Sequence, residues 1–297
     1  MNYQKELDVN IQANVSAALL EDLRLLSRKR HSEKPMEFRT LDITAQLIPR
    51  EQQGTATIIT RQDAVLCGRP WFDACFKSLD PDCIITWFAD EGAAIAAKQL
   101  LCEIRGNARA MLSAERAALN FLQTLSATAT VTRHYVGLVA GTKAKILDTR
   151  KTLPGLRYAQ KYAVGIGGGH NQRMALFDGI LIKENHIMAA GSITTVLAEA
   201  LRIAPPGMSI QIEVETLEQL TEALDAGAKL VLLDNFDLDT MRAAVKLNAG
   251  RAELEASGGI NPQTVRAIAE TGVDRISIGS LTKDIQAVDL SMRFKLS

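Results

Sequence analysis

Within DTRKTLPGLR (148–157) the basic residues Arg150, Lys151 and Arg157 crowd together directly after the apolar run AKIL. A strand that ends in a cationic cluster is built to hold an anion, because guanidinium forks pair bidentately with carboxylates and phosphates. The pattern recurs in GILIKENH (179–186), where an apolar strand runs into Lys183, Glu184, Asn185 and His186, and recurrence separates it from an ordinary solvated charge run. Four cations, Arg150, Lys151, Arg173 and Lys183, fall on segments that a β/α barrel would bring to one mouth, and Glu213 and Asp234 supply carboxylates on the next two strands. Opposed charges at one mouth suit a polyanion with a divalent metal. Mg²⁺ takes one or two carboxylates and completes its shell with substrate phosphates and water, which is what Glu213 and Asp234 offer. The glycine tips SGG (Ser257, Gly258, Gly259) and GS (Gly279, Ser280) expose backbone N–H groups on the last two strands, where many barrels hold a phosphate. Close backbone packing is the competing explanation for these glycines.

Those residues need a scaffold, and from about residue 144 the chain supplies one. Short β-branched or apolar runs, polar tips and amphipathic helices alternate, the pattern of a parallel sheet with crossover helices. Six strand tips are legible: AKILDTRK, GILIKENH, SIQIEVET, KLVLLDNF, AELEASGG and DRISIGSL, with helices at TLEQLTEALDAG, DLDTMRAAVKLNAG and NPQTVRAIAETG. Asn261 followed by Pro262 reads as an N-cap with proline at the first helical position, and Gly227, Gly250 and Gly272 stand where left-handed C-terminal caps belong. The compact repeat favours a closed barrel with its chemistry at the C-terminal strand ends, where Glu215 and Asn235 also lie. The earlier region has a different texture, with strand-like TATIITRQDAVLCG and CIITWFADEG and a helix at ARAMLSAERAALNFLQTLSATA. It reads as a separate α/β domain over 1–129, joined by a tail over 281–297 that alternates like an antiparallel strand, with the barrel over 130–280.

With 297 residues, 47% of them hydrophobic, the chain can bury a large core. Its 34 basic residues balance 34 acidic ones, which argues against a duplex nucleic-acid binder with a broad basic face. The cysteines Cys67, Cys75, Cys83 and Cys102 form no CxxC pair and read as small buried hydrophobes in a reducing compartment. The N-terminus lacks a basic stretch followed by an apolar one, and no run approaches the roughly eighteen apolar residues of a membrane span. A cytoplasmic protein with no membrane partner is the expectation.

Other chemistries are open on the residues alone. Lys183 on a barrel strand could form a Schiff base with a carbonyl substrate, which would make the protein an aldolase-like lyase, although such an enzyme needs fewer cations. A non-catalytic sugar-phosphate binder is a third reading. His170 and His186 are candidate acid/base groups or structural histidines. GIGGGH (165–170) ends in histidine where a dinucleotide fingerprint has glycine, and reads as a flexible loop beside the site. GxxxxGK[ST], HExxH and GxSxG are all absent, which removes the usual support for nucleotide triphosphatase, zinc protease and serine hydrolase readings.

Taken together and in order, SAERAALNFLQ around Arg116, DTRKTLPGLR, GGGHNQRMALFDGILIKENH, IEVET, LLDNF, EASGGI and ISIGSLT closely resemble the quinolinate phosphoribosyltransferase family over nearly the whole chain. The resemblance implies an N-terminal α/β sandwich domain and a C-terminal open α/β barrel, in a homodimer where Arg116 of one chain reaches the other's barrel mouth. It implies that Arg116, Arg150, Arg173 and Lys183, with the Gln172 amide, bind quinolinate. Lys151, Glu213, Asp234, Ser257, Gly258, Gly259, Gly279 and Ser280 would hold phosphoribosyl pyrophosphate and Mg²⁺, with Lys151, Lys183, Glu213 and Asp234 as the catalytic set. One departure stands out. Many members of the family carry histidine before the site arginine, whereas Gln172 precedes Arg173 here and cannot carry a proton as histidine does.

Overall fold

The computed structural model describes residues 3–23 and 42–296; residues 24–41, which the sequence reading assigns to the N-terminal domain, and the extreme termini lie outside the described residues. The chain divides into two compact units, Met1–Thr130 with Pro154–Ile166 and Ile285–Ser297, and Val131–Leu153 with Gly167–Asp284.

The first unit is an α/β sandwich. Helix α1 (Tyr3–Leu23) places Leu7, Ile11, Val15, Leu19 and Leu23 at a spacing of four, so one apolar stripe is buried, while Val9 and Leu20 lie exposed off that stripe. Strands β1 (Gln53–Thr60), β3 (Ile84–Trp87) and β5 (Leu100–Asn107) form an antiparallel sheet, while β2 (Ala64–Val65) and β4 (Ala94–Ile95) pair separately. Residues of β1 alternate between buried and partly exposed, as a sheet covered on one face requires. Helices α2 (Arg69–Leu79) and α3 (Ala108–Leu138) pack Trp71, Phe72, Phe76, Met111 and Leu122 into the same core. The four cysteines are buried and unpaired within it, and burial pushes the Cys83 thiol up to about 11 and the Cys75 thiol up to about 12. They act as packing groups.

The division falls inside α3, a continuous helix that runs past the expected boundary at 129. After β6 (Lys145–Leu147) the chain returns to the first unit for α4 (Arg157–Ile166), whose Ala159 and Ala163 join that core. The sequence reading had kept this segment in the barrel.

The second unit contains six parallel strands in the order β6, β11 (Arg275–Ser277), β10 (Glu253–Ser257), β9 (Leu230–Asp234), β8 (Ser209–Val214), β7 (Gly179–Ile182), all six at the expected places. Helices α5 (Glu184–Ala190), α6 (Ile193–Ile203), α7 (Leu217–Asp225), α8 (Leu238–Asn248) and α9 (Val265–Glu270) form the crossovers. The barrel is open, as the family resemblance implies and not closed as the compact repeat alone suggests, because no pairing joins β6 to β7 among the described residues. The edge of β6 is instead taken by a single parallel bridge from Leu147 to His170. GIGGGH is accordingly no loose loop: its first two residues end α4, and His170 exchanges backbone hydrogen bonds with Ile146 and Asp148 at 2.8 and 3.1 Å.

Gly227, Gly250 and Gly272 have φ of 87°, 80° and 93°, the left-handed values expected past helix ends. The start of α9 differs from expectation. Asn261 Oδ1 accepts from the Gln263 and Thr264 N–H groups, but across a turn, and the α-helix itself begins at Val265. After β11, the short helix α10 (Ser280–Lys283) precedes β12 (Leu290–Leu296), which pairs antiparallel with β1 as the tail's alternation suggested. No described helix is long and apolar enough to cross a membrane.

Candidate active site at the strand ends of the second unit

Strand geometry sorts the side chains before any ligand does. Successive residues point to opposite faces, so Ile212, Val214, Val231, Leu233, Leu254, Ala256 and Ile276 join the apolar core of the second unit. Their alternates, Gln211, Glu213, Asp234, Glu255 and Ser257, share the other face. The C-terminal ends of β7, β8 and β9 deliver Lys183, Glu213 and Asp234, and Lys183 Nζ lies 2.8 Å from Glu213 Oε2. Burial, followed by the Glu213 charge, raises the Asp234 carboxyl above its usual 3.8, while Lys183 and Lys151 pull it down. Glu184 adds to the upward push. Lys151, Lys183 and Glu213, three of the predicted catalytic residues, thus all act on the fourth, Asp234.

Lys151 is held through its backbone. Its N–H donates to Thr149 Oγ1 at 3.0 Å, and its carbonyl accepts from Thr282 Oγ1 at 2.7 Å. Its side chain passes Gly279, where a Cβ would stand 3.0 Å from Lys151 Cδ, so glycine leaves the lysine its path. Lys151 also lines a recess of about 270 Å³ with Ser257, Gly258, Gly259, Gly279 and Ser280. Gly258 has φ of 99° and a Cβ there would overlap Asn235 Oδ1, so both conformation and space demand glycine. Asn235, itself left-handed at φ 56°, donates from Nδ2 to Asp234 Oδ2 at 3.0 Å and so orients that carboxylate. A larger recess of about 540 Å³ in the first unit is lined by Asp8, Asp73 and Lys77 and shares none of these groups.

Arg150 and Arg173 form a second centre. Burial and the Arg150 charge both lower the Arg173 pKa, which places two guanidinium groups within electrostatic reach. Arg173 Nη1 donates to the Gly179 carbonyl at 2.9 Å, while its Nε is buried with no partner among the described residues. A buried unpaired N–H on a cation is a receptor for an anion, since leaving it unmade costs the full desolvation of the group.

Other predicted residues lie elsewhere or serve differently. Arg116 is exposed on α3 in the first unit, and Arg157 opens α4 in the same unit. The backbone N–H of Glu215 donates to Gln219 Oε1 at the entry to α7. His186 Nδ1 accepts from the Lys183 N–H at 3.0 Å, so its ring fixes the backbone at the end of β7. Lys183 faces a carboxylate, and its side chain is 48% exposed, which is not the apolar pocket that a Schiff-base lysine uses. The Gln172 amide points to Glu255 Oε1 at 2.7 Å and to Gln211 Oε1 at 3.3 Å. Sequence reasoning missed Gln211, Glu255 and the buried Asp148, together with Lys283, which also lines the recess beside Lys151. The period of two would have found two of them, because Gln211 and Glu255 stand two residues before Glu213 and Ser257 on the same strand faces.

Comparison with known proteins bears on the chain as a whole. Residues 42–126 match the model of the quinolinate phosphoribosyl transferase N-terminal domain, and residues 128–293 match that of its C-terminal domain. The chain is 41% identical over 258 residues to a probable nicotinate-nucleotide pyrophosphorylase (carboxylating) of Bacillus subtilis, covering 87% of this chain and 89% of that protein. It is 40% identical over 261 residues to the nicotinate-nucleotide pyrophosphorylase (carboxylating) of Mycobacterium leprae, covering 85% and 90%. Among solved structures, the nicotinate-nucleotide pyrophosphorylase of Francisella tularensis superposes with a TM-score of 0.89 at 41% identity over 97% of each chain. Both domain models match in order on one chain, and its relatives extend across both, so this protein belongs to the quinolinate phosphoribosyl transferase family.

Proposed function

We propose that the paired arginines, the acid/lysine cluster and the glycine recess are the three subsites of one reaction. The protein is a quinolinate phosphoribosyltransferase (decarboxylating). It transfers the phosphoribosyl group of phosphoribosyl pyrophosphate to quinolinate and releases pyrophosphate and CO₂, giving nicotinate mononucleotide for NAD biosynthesis. The observation that carries the site assignment is the Arg150–Arg173 pair with its buried Arg173 Nε, because a dicarboxylate needs more cationic partners than a monocarboxylate does.

In this reading Arg150 and Arg173 grip the ring carboxylates with Lys183, and the recess of Ser257, Gly258, Gly259, Gly279 and Ser280 takes the sugar phosphate through backbone N–H groups. The pyridine nitrogen uses its lone pair to form a bond to ribose C1 as the C1–oxygen bond breaks toward pyrophosphate. Lys151, shared between the recess and the acid cluster, neutralises charge growing on the leaving group. The C2–carboxylate bond then breaks, CO₂ leaves, and the electron pair on C2 takes a proton; nearby cations stabilise that carbanion. Glu213 and Asp234 would hold Mg²⁺, and no group of three or more His, Cys, Asp or Glu gathers among the described residues, so substrate phosphates would complete the shell. Bound there, the ion would offset charge on the pyrophosphate.

The direct test supplies phosphoribosyl pyrophosphate and Mg²⁺ with either quinolinate or nicotinate. Nicotinate mononucleotide and CO₂ are expected from quinolinate, and product from nicotinate alone would overturn the dicarboxylate assignment.

The working unit in this proposal is a homodimer, with exposed Arg116 of one chain completing the partner's quinolinate subsite, and the compartment is the cytoplasm. Mixing an Arg116→Ala chain with an Arg150→Ala chain is expected to recover up to about a quarter of wild-type activity, since random pairing leaves one site in four of the mixed population intact. Two inactive homodimers that stay inactive after subunit exchange would remove the shared site.

A further inference from the structure

The geometry points to a positioning device beneath the quinolinate subsite: Glu255, gripped by Gln172 and Gln211, holds the segment that carries Arg173 in place without itself touching substrate. The inference rests on the reading of that arginine pair as the dicarboxylate receptor.

Arg150 and Arg173 arrive on two segments that no strand pairing carries to the mouth. Arg150 follows β6 by three residues, and Arg173 lies in the open seam before β7. Between the seam segment and β6, specific hydrogen bonds join the two backbones. The Asp148 N–H donates to the His170 carbonyl at 3.1 Å, and the Gln172 N–H donates back to Asp148 Oδ1 at 3.0 Å. Asp148 is fully buried. This fixes the two backbones next to each other.

The Gln172 side chain ties the same segment to the strands of the sheet. Its Nε2 donates to Glu255 Oε1 at 2.7 Å, while the other carboxylate oxygen of Glu255 accepts from Gln211 Nε2 at 2.9 Å. Gln211 Oε1 in turn lies 3.3 Å from Gln172 Nε2, closing a ring of three side chains that spans β8, β10 and the seam. Glu255 is 1% exposed, so its carboxylate has left water and depends on these amides. Because the next residue after Gln172 is Arg173, the ring fixes the origin of that guanidinium. The Gln172 side chain supplies this ring with a neutral amide donor.

The ring also predicts its own repair. In Gln172→Leu the donor is lost at nearly constant size, and in Gln172→Glu two carboxylates face each other. The double variant Gln172→Glu/Glu255→Gln exchanges donor and acceptor and restores a bonded pair. With the intact chain, quinolinate KM is expected to rise about tenfold or more in Gln172→Leu, the loss of one hydrogen bond to a charged group. The KM for phosphoribosyl pyrophosphate should stay within about twofold. Gln172→Glu should be worse, and the double variant should recover most of the difference. Equal losses for both substrates, or an unchanged quinolinate KM, would overturn the inference. Should Gln172→Glu fail to fold, the KM comparison in Gln172→Leu decides alone. Arg173→Ala separates the two levels: if it weakens quinolinate selectively while Gln172→Leu does not, only the positioning role fails, and if it does not, the receptor reading fails first.

Discussion

Replacing Arg173 with alanine is expected to lower kcat/KM for quinolinate by about 100- to 1,000-fold while leaving the KM for phosphoribosyl pyrophosphate nearly unchanged. The magnitude follows from losing a bidentate charge-assisted pair, each bond of which contributes about 1.5–3 kcal/mol, at about 1.4 kcal/mol per tenfold. The selectivity follows from placement. Arg173 lies in the seam before β7, a segment that contributes nothing to the lining of the glycine recess, whereas Thr149 and Lys151 on either side of Arg150 do line it. Arg150→Ala should behave similarly, with one difference. Removing Arg150 also relieves the repulsion that lowers the Arg173 pKa, so its loss is partly offset. Steady-state kinetics with each substrate varied in turn checks both, and equal losses for the two substrates would defeat the assignment.

Asp234→Asn is expected to cost activity about as heavily, by 100-fold or more, an effect of the size seen when one preorganised charge-stabilising group is removed, about 10²–10³ in rate. Its effect on stability should run the other way. The folded-state pKa of Asp234 is raised above 3.8, so the native protein holds this proton more tightly than the unfolded chain does. Its contribution to stability is therefore greatest at acid pH and declines as pH rises from the unfolded value through the raised folded one. Above that window the carboxylate is a burden, because it faces Glu213 in a partly buried setting. The asparagine variant should thus melt no lower than wild type at neutral pH, while wild type gains on it as pH falls through the window. A large drop in melting temperature at neutral pH would mean that Asp234 is structural.

What the sequence by itself determined is local and periodic. All six strand tips of the barrel were legible because each couples an apolar run to a polar tip, and Gly227, Gly250 and Gly272 were legible because only glycine takes a left-handed cap without strain. Lys151, Lys183, Glu213 and Asp234 could be gathered because parallel strands must end on one side of their sheet. Family resemblance extended that to substrates and reaction. Only the tertiary structure decided the rest. The open seam between β6 and β7 was invisible to strand spacing, since it depends on α4 leaving for the other unit and on His170 taking the edge of β6. The helix boundary inside NPQTVRAIAETG moved because Asn261 caps a turn, a choice between two short-range hydrogen-bond patterns that the same residues satisfy equally well. The partners of His186, read as an acid/base or structural histidine, and of Gln172, read as a quinolinate contact, are the Lys183 backbone and the Glu255 carboxylate, which the sequence alone does not reveal. The physical reason is common to these cases: sequence specifies which groups a residue can bond, but which partner it meets is set by segments far along the chain, and Gln172 and Glu255 meet across 83 residues.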